Sequence, residues 1–485
     1  MKGYATMKKR VISIAALLLS ATIILTACGG DVVELMEFID SNPSSVDYGG
    51  YKFQYYFGGD SSYDATKTVL GYDTNTIQGE AMLKRIDDIK KQLNVEIVLN
   101  PQYDYTQYRT MSLGGNLTAD AFSYNYMNAM QVFASGGFLH PITEFPDYID
   151  LKDTDKYGAA NVLEPAMVNS VPYAVLPCFW PGNQPMEDYV YCYNKDMLSA
   201  NGLTDLHEFW ENETWTWETY EKEFLEKAKI ETADGYRPAI STYPIAYFDM
   251  LMYSNNVQFV KRNNNGENIA NPYPDEFVQA YEQGLDWVQE YPEIVDISLD
   301  MHDIDPFLEE MTLSALIKAS DVTQGAVAYK ESSFLYGIMP FPAGPNAPYG
   351  VWAQVVERIG GIGIAITSIE PNIAAHTLSL WFEPFEEFGG RDGLYDFYNT
   401  NTFLSETDTE IFFALMEHVR YDYTFWDQSD VGREVASAFG TSIKQGRGIS
   451  EAMEKNRNLV DKMVYDYILP NFDYMYDNYY YQFDN

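Results

Sequence analysis

The sequence predicts an α/β protein divided into more than one lobe. Two observations give this class: strand and helix patterns alternate from residue 51 onward, and 485 residues exceed what one compact core holds. A third, 46% hydrophobic residues with charges scattered between them, marks a folded chain rather than a disordered one.

The N-terminus carries Lys8, Lys9 and Arg10, followed by an apolar run from Val11 to Ala27. That run is short for a membrane-spanning helix and has the basic-then-apolar order of an export signal. It ends in "LTAC", which resembles the lipobox of bacterial lipoproteins. The resemblance implies cleavage after Ala27 and a diacylglycerol on the sulfur of Cys28, one acyl chain being too weak for a stable anchor. Residues 28–47, with Gly29, Gly30 and "DSNPSSVDYGG", then read as a flexible tether. An uncleaved anchor, or an ordinary signal before a chance cysteine, is the plainer alternative.

Loss of residues 1–27 removes Lys2, Lys8, Lys9 and Arg10 and no acid, so the formal charge moves from −40 to −44. Such an excess repels nucleic acid and anionic headgroups, which argues against both as partners, although a local pocket can differ in sign from the whole. Two cysteines remain, in "YAVLPCFW" and "DYVYCYNK". A hairpin turning near Pro185 would oppose Cys178 and Cys192, although either can equally be a small buried apolar group.

"YKFQYYF" (51–57) reads as an aromatic strand. In "GEAMLKRIDDIKKQLN", Met82, Ile86, Ile89 and Leu93 form one apolar helical stripe, and Asn94 stops the helix. "VEIVL" (95–99) is the next strand, so the unit is parallel. "LTADAFSYN" (117–125) reads as strand and loop, and "NAMQVFASGGFLHPIT" as a helix closed by Gly136 and Gly137. Thr216 is the expected N-cap of "TWTWETYEKEFLEKAK", with Glu218 and Glu221 in the first turn, where the helix dipole favours acids. "IGGIGIAI" is a small-residue strand, a helix begins near Pro371, and the C-terminal third is mainly helical.

These pieces stand in the order of a known family. The chain resembles the extracellular solute-binding proteins of ABC importers, in the carbohydrate-binding group that includes maltose-binding protein. The resemblance lies in "VYCYNKDMLSANGL" (190–203), "TWTWETY" (214–220), "YGIMPFPAGPNA" (336–347), "GGIGIAITSIEPNIAAHTLSLW" (360–381) and "GGFLHPIT" (136–143). It covers nearly all of the chain after the tether. The family fold implies two α/β lobes around a ligand cleft, closing by a hinge. Carried over, the first lobe takes residues 48–188 and 363–425 and the second takes 189–362 and 426–485. The crossovers then fall near Asp188 and near Gly360–Gly363.

Ligands of open α/β sheets sit beyond the carboxyl ends of the strands. Sugars need flat aromatic faces for their C–H surfaces and carboxylates or amides for their hydroxyls. With the resemblance, this selects Asp60, Tyr124 with Asn125, Trp180, Glu187 with Asp188, Tyr243, Asp321 and Trp352 as candidate ligand contacts. Many relatives carry tryptophan where Asp321 stands, and residues 244–300 match the family poorly.

Together these readings imply a monomeric, lipid-anchored protein on the outer face of the bacterial membrane. It captures an oligosaccharide and hands it to a permease, with no cofactor and no covalent step. Three alternatives remain: the same fold with a peptide, polyamine or other cation as ligand, a secreted glycosidase, and a calcium loop. The five histidines (140, 207, 302, 376 and 418) show no metal spacing, and pairs such as Glu386–Glu387 arise by chance at this composition. Asp153, Asp155, Gly158 and Glu164 fall at EF-hand positions one, three, six and twelve, but Tyr157 occupies position five, where a ligand is needed.

Overall fold

The computed structural model describes residues 46–58, 64–70, 72–102, 110, 113–114, 119–124, 136–157, 163, 166–168, 171–176, 180, 189–233, 235–263, 268–301, 303–324, 332–347, 361–385, 388, 390–403, 405–417 and 430–469. Its main strands are β1 (Tyr51–Gly58), β2 (Val95–Gln102), β3 (Ala121–Tyr124), β4 (Tyr189–Asn194), β5 (Ile240–Ser241), β6 (Val295–Asp296), β7 (Ser314–Lys318), β8 (Tyr336–Met339) and β9 (Gly361–Ile364). They form two sheets, in the orders β9-β3-β1-β2 and β6-β5-β7-β4-β8.

In the first sheet β1 pairs in parallel with β2 and β3, and β9 closes the edge antiparallel to β3. Helix α1 (Ile77–Leu93) makes the connection from β1 to β2, as the apolar stripe requires. Met82, Ile86, Ile89 and Leu93 are all buried, each contributing about 1.5–3 kcal/mol of transfer free energy. Thr76 caps α1 by accepting the Gly79 N–H at 3.1 Å. Asn94 ends it in the left-handed region at φ 47°, as its short polar side chain allows. Gly79 has no substitute, because a Cβ there would lie 2.0 Å from the Asp73 carbonyl oxygen.

The second sheet is mixed. β5 runs parallel to β6 and β7, while β4 runs antiparallel to β7 and β8. β4, "YVYCYN", is buried along its whole length, as expected of a strand with structure on both faces. Around this sheet pack α2 (Lys195–Ala200), α3 (Trp217–Thr219), α4 (Pro244–Ser254), α5 (Asp275–Glu290) and α6 (Ala319–Gln324). Thr216 is the N-cap of α3, which continues as a π-helix over Tyr220–Leu225. Then follow α7 (Pro371–Trp381), α8 (Gly390–Asn401), α9 (Glu406–Glu417), α10 (Asp430–Lys444) and α11 (Ile449–Lys462), the helical C-terminal third.

Two hydrophobic cores correspond to the two sheets. Their membership moves one lobe boundary. Residues 390–417 fall in the first lobe by resemblance, yet Leu394, Tyr398, Ile411, Phe412 and Leu415 are buried in the second core. The reason is polar as well as apolar: Asp408 of α9 accepts the Ile338 N–H of β8 at 2.8 Å, which fixes α9 to that sheet. Phe397 of α8 meanwhile meets Phe388 at 4.8 Å and packs on the first core, so α8 joins the two.

Cys192 is a buried free thiol in β4, and burial pushes its pKa well up, so it is a small apolar group of the second core. Cys178 lies outside the described residues. The EF-hand-like stretch also takes another form: Thr154–Tyr157 is a helical turn and Tyr157 is a core residue, 1% exposed. Gly158 and Glu164 lie outside the described residues.

Candidate functional site

Strand direction marks the carboxyl edges, where ligands of open α/β sheets sit. In the first sheet β1, β2 and β3 end at Gly58, Gln102 and Tyr124, and β9 enters opposite Tyr124 at Gly361. In the second, β5, β6 and β7 end at Ser241, Asp296 and Lys318, and β4 enters opposite Lys318 at Tyr189. The chain passes from Trp180 of the first core to Tyr189, and from β8 back to Gly361. The second link therefore leaves one carboxyl edge at Met339 and enters the other at Gly361, and the first link enters the second sheet at its carboxyl edge.

On the second edge three polar side chains come together, and a fourth, Asp321, follows in sequence. Tyr243 is the N-cap residue of α4, with Pro244 starting the helix, and is 3% exposed. Its hydroxyl is hydrogen-bonded to that of Tyr189, and the two rings meet edge to face at 5.8 Å. The Lys318 ammonium lies 5.9 Å from the centroid of the Tyr189 ring. Asp321, half-buried, stands in the first turn of α6, one turn beyond the end of β7. Next to Tyr243, the buried Thr242 hydroxyl has no hydrogen-bond partner among the described residues. Phenol, ammonium and carboxylate on one edge offer donors and acceptors for a polar solute, and nothing in the set is arranged as a nucleophile with its base.

Tyr243 and Asp321 are both candidates that the sequence singles out. Tyr189 and Lys318 are not, although both were within reach: Lys318 ends the "SALIK" strand, where the carboxyl-end rule points, and the register sets Tyr189 opposite it. Trp180, a further candidate, lies on the other lobe. It is 2% exposed in the first core, tilted against Phe385 at 5.2 Å, and its indole N–H donates to the Glu383 carbonyl at 3.4 Å. The backbone of Tyr124 ends β3 on the first edge. Asp60, Asn125, Glu187, Asp188, Trp352 and the side chain of Tyr124 lie outside the described residues, as does Cys28.

Among the described residues no group of three or more His, Cys, Asp or Glu side chains is placed to hold a metal ion. No described helix is long and apolar enough to cross a membrane. A cavity of about 270 Å³ opens between α1 and the end of α7, lined by Lys84, Arg85, Asp88, Glu383 and Phe385 among others. Arg85 there donates to the carbonyls of Leu380, Trp381 and Pro384 at 3.1, 3.1 and 2.9 Å, closing the C-terminus of α7. This cavity belongs to a helix–helix seam and takes no part of either carboxyl edge.

No protein-family model matches the sequence, and no curated protein matches it. Solved structures do match, and they define the class: the chain has the two-lobed α/β fold of substrate-binding proteins of the maltose-binding kind. The sugar-binding protein MalE of Xanthomonas citri has a TM-score of 0.62 at 14% identity, covering 88% of this chain and 100% of that one. The cyclic α-maltosyl-1,6-maltose binding protein of Arthrobacter globiformis gives 0.61 at 13% identity, covering 86% and 100%. An ABC substrate-binding protein of Listeria monocytogenes, solved with cycloalternan, gives 0.57 at 14% identity, covering 85% and 98%.

Proposed function

We propose that this protein is the solute-binding subunit of an ABC importer, and that it captures an oligosaccharide between the two carboxyl edges. One observation carries the reading: two α/β sheets are joined by a chain link that runs from the carboxyl edge of one to that of the other, in a fold whose solved examples include sugar-binding proteins. A ligand that touches both edges favours the closed arrangement, and a permease distinguishes that form from the open one. No covalent chemistry is needed. Tyr243 and Asp321, with Tyr189 and Lys318, supply the second edge of the site. Asp60, Tyr124, Asn125, Glu187, Asp188 and Trp352 are proposed for the remainder. A diacylglyceryl Cys28 holds the monomer at the outer face of the membrane.

A melting-temperature screen tests the ligand class. Maltotetraose, cyclic maltodextrins and other oligosaccharides are compared with peptides and polyamines. A solute at about a hundredfold over its Kd adds roughly 2.7 kcal/mol of stability. If a peptide or polyamine raises the melting temperature and no sugar does, the carbohydrate assignment fails. The anchor has its own test, in which Cys28→Ser releases the protein from the membrane fraction into the medium.

A further inference from the structure

The link from β8 back toward the first sheet is bonded to the second lobe over its first part. The Ala343 N–H donates to the Trp215 carbonyl at 3.1 Å, and the Ala343 carbonyl accepts the Trp217 N–H at 2.9 Å. The Gly344 N–H donates to the Ser254 carbonyl at 2.7 Å. Behind this segment sits Asn255, 0% exposed, at the end of α4. Its Oδ1 accepts both the backbone N–H and the side-chain Nδ2–H of Asn346, each at 3.2 Å. Its Nδ2 donates to the Glu276 carbonyl of α5 at 2.7 Å. Asn346 reaches α5 directly as well, through Gln279 Oε1 at 2.6 Å. The fit leaves no slack: a Cβ on Gly344 would stand 2.5 Å from Asn255 Oδ1 and 2.9 Å from the Trp217 ring.

A segment bonded to a lobe rotates with that lobe, so a pivot cannot lie inside it. We infer that Asn255 is a positioning residue for lobe closure: through Asn346 it extends the second lobe's rigid body from Gly344 to residues 345–346 and thereby sets the ligand-free balance between open and closed forms. The inference rests on the solute-binding reading above, because that reading is what gives the lobe angle a purpose. Pro340 to Gly344 stay held by their own backbone bonds and burial, so releasing the clamp frees residues 345–346 at the start of that crossing. More open arrangements then compete with the closed one, and the binding-competent fraction falls.

The test reads the lobe angle without any ligand. Nitroxide labels on Lys91→Cys in α1 and Glu454→Cys in α11 report the distance between the lobes, in a Cys28→Ser, Cys178→Ser background. Asn255→Ala is expected to broaden the ligand-free distance distribution. Asn346→Ala, at an exposed position, is expected to broaden it less and to leave the melting temperature unchanged. If Asn255→Ala does not fold, Asn346→Ala and Gln279→Ala together decide. A distribution of unchanged mean and width in the folded variants overturns the inference, and so does a lowered melting temperature with an unchanged distribution, the mark of a purely structural residue. Maltotetraose serves as the probe of affinity, its Kd expected to rise roughly three- to tenfold in Asn255→Ala. Failure of the parent protein to bind any sugar would count against the proposed ligand, while the ligand-free distances would still judge the clamp.

Discussion

Asp408→Ala is expected to destabilise the second lobe by about 3–5 kcal/mol. Asp408 is 1% exposed on α9. Its Oδ1 accepts the Ile338 N–H at 2.8 Å and stands 3.1 Å from His207 Nε2, and its Oδ2 accepts the Ser405 hydroxyl at 2.5 Å. The tautomer of His207 follows from its other neighbour. Lys195 Nζ lies 3.0 Å from Nδ1, and an ammonium can only donate, so Nδ1 carries the lone pair and Nε2 the proton. Alanine leaves the Ile338 N–H buried without its acceptor, at about 1–3 kcal/mol, and removes hydrogen bonds to a charged group worth about 1.5–3 kcal/mol. The loss is tempered at His207, whose Nε2–H still has the Ile338 carbonyl at 3.3 Å. Urea unfolding followed by tryptophan fluorescence measures the change, as a lower midpoint at constant slope. Asp408→Asn keeps an acceptor for Ile338 and is expected to cost roughly half as much. A loss below about 1 kcal/mol for alanine would refute the argument, since it would mean that the buried N–H finds water and that α9 is not fixed to β8 as described.

Trp180→Ala should lower stability by about 3–5 kcal/mol through lost packing against Phe385, measurable as a reduced melting temperature without any ligand, and an unchanged one would place the ring outside the core. His376 stacks on Tyr148 at 4.9 Å and its Nδ1 shares a 2.8 Å hydrogen bond with the Tyr48 hydroxyl, and burial, aided by the Lys156 charge, holds its pKa below 6.5. The fold thus favours the neutral ring, so its contribution is full above pH 6.5 and declines as pH falls toward the depressed value. Melting temperatures taken from about pH 7.5 to about pH 5 should decline less steeply in His376→Gln than in the parent. Asp205 has its pKa lowered: burial alone would raise it, but the Tyr193 hydroxyl, the Lys195 charge and the His207 N–H outweigh that. Its contribution is present above pH 3.8 and is lost as pH falls through the depressed value, so Asp205→Asn should flatten the acid limb of the stability curve; a parallel limb would contradict this.

Local periodicity was enough to read α1 and the strands on either side of it. A four-residue stripe such as Met82, Ile86, Ile89 and Leu93 can be buried only by a helix, and Thr216 and Asn94 mark helix ends by side-chain chemistry that needs no distant partner. The lobe assignment of α8 and α9 was not legible in this way. Their apolar faces would suit either core, and the choice falls to a partner far away in sequence, the Ile338 N–H for Asp408. Trp180 shows the same limit, since an aromatic residue suits a core and a binding surface equally until Phe385 is beside it.

The sequence by itself determined the α/β class and the order of the main elements, and through the carboxyl-end rule it named the strand ends proposed here for a ligand. Tertiary structure alone decided that Tyr189, Tyr243 and Lys318 share one edge, that Cys192 is a buried free thiol, and that Asn255 holds the link between β8 and the first sheet. The physical reason is range. Helix caps and apolar stripes act within a few residues, whereas strand register and buried hydrogen bonds join residues tens to hundreds of positions apart, and no local pattern specifies such pairs.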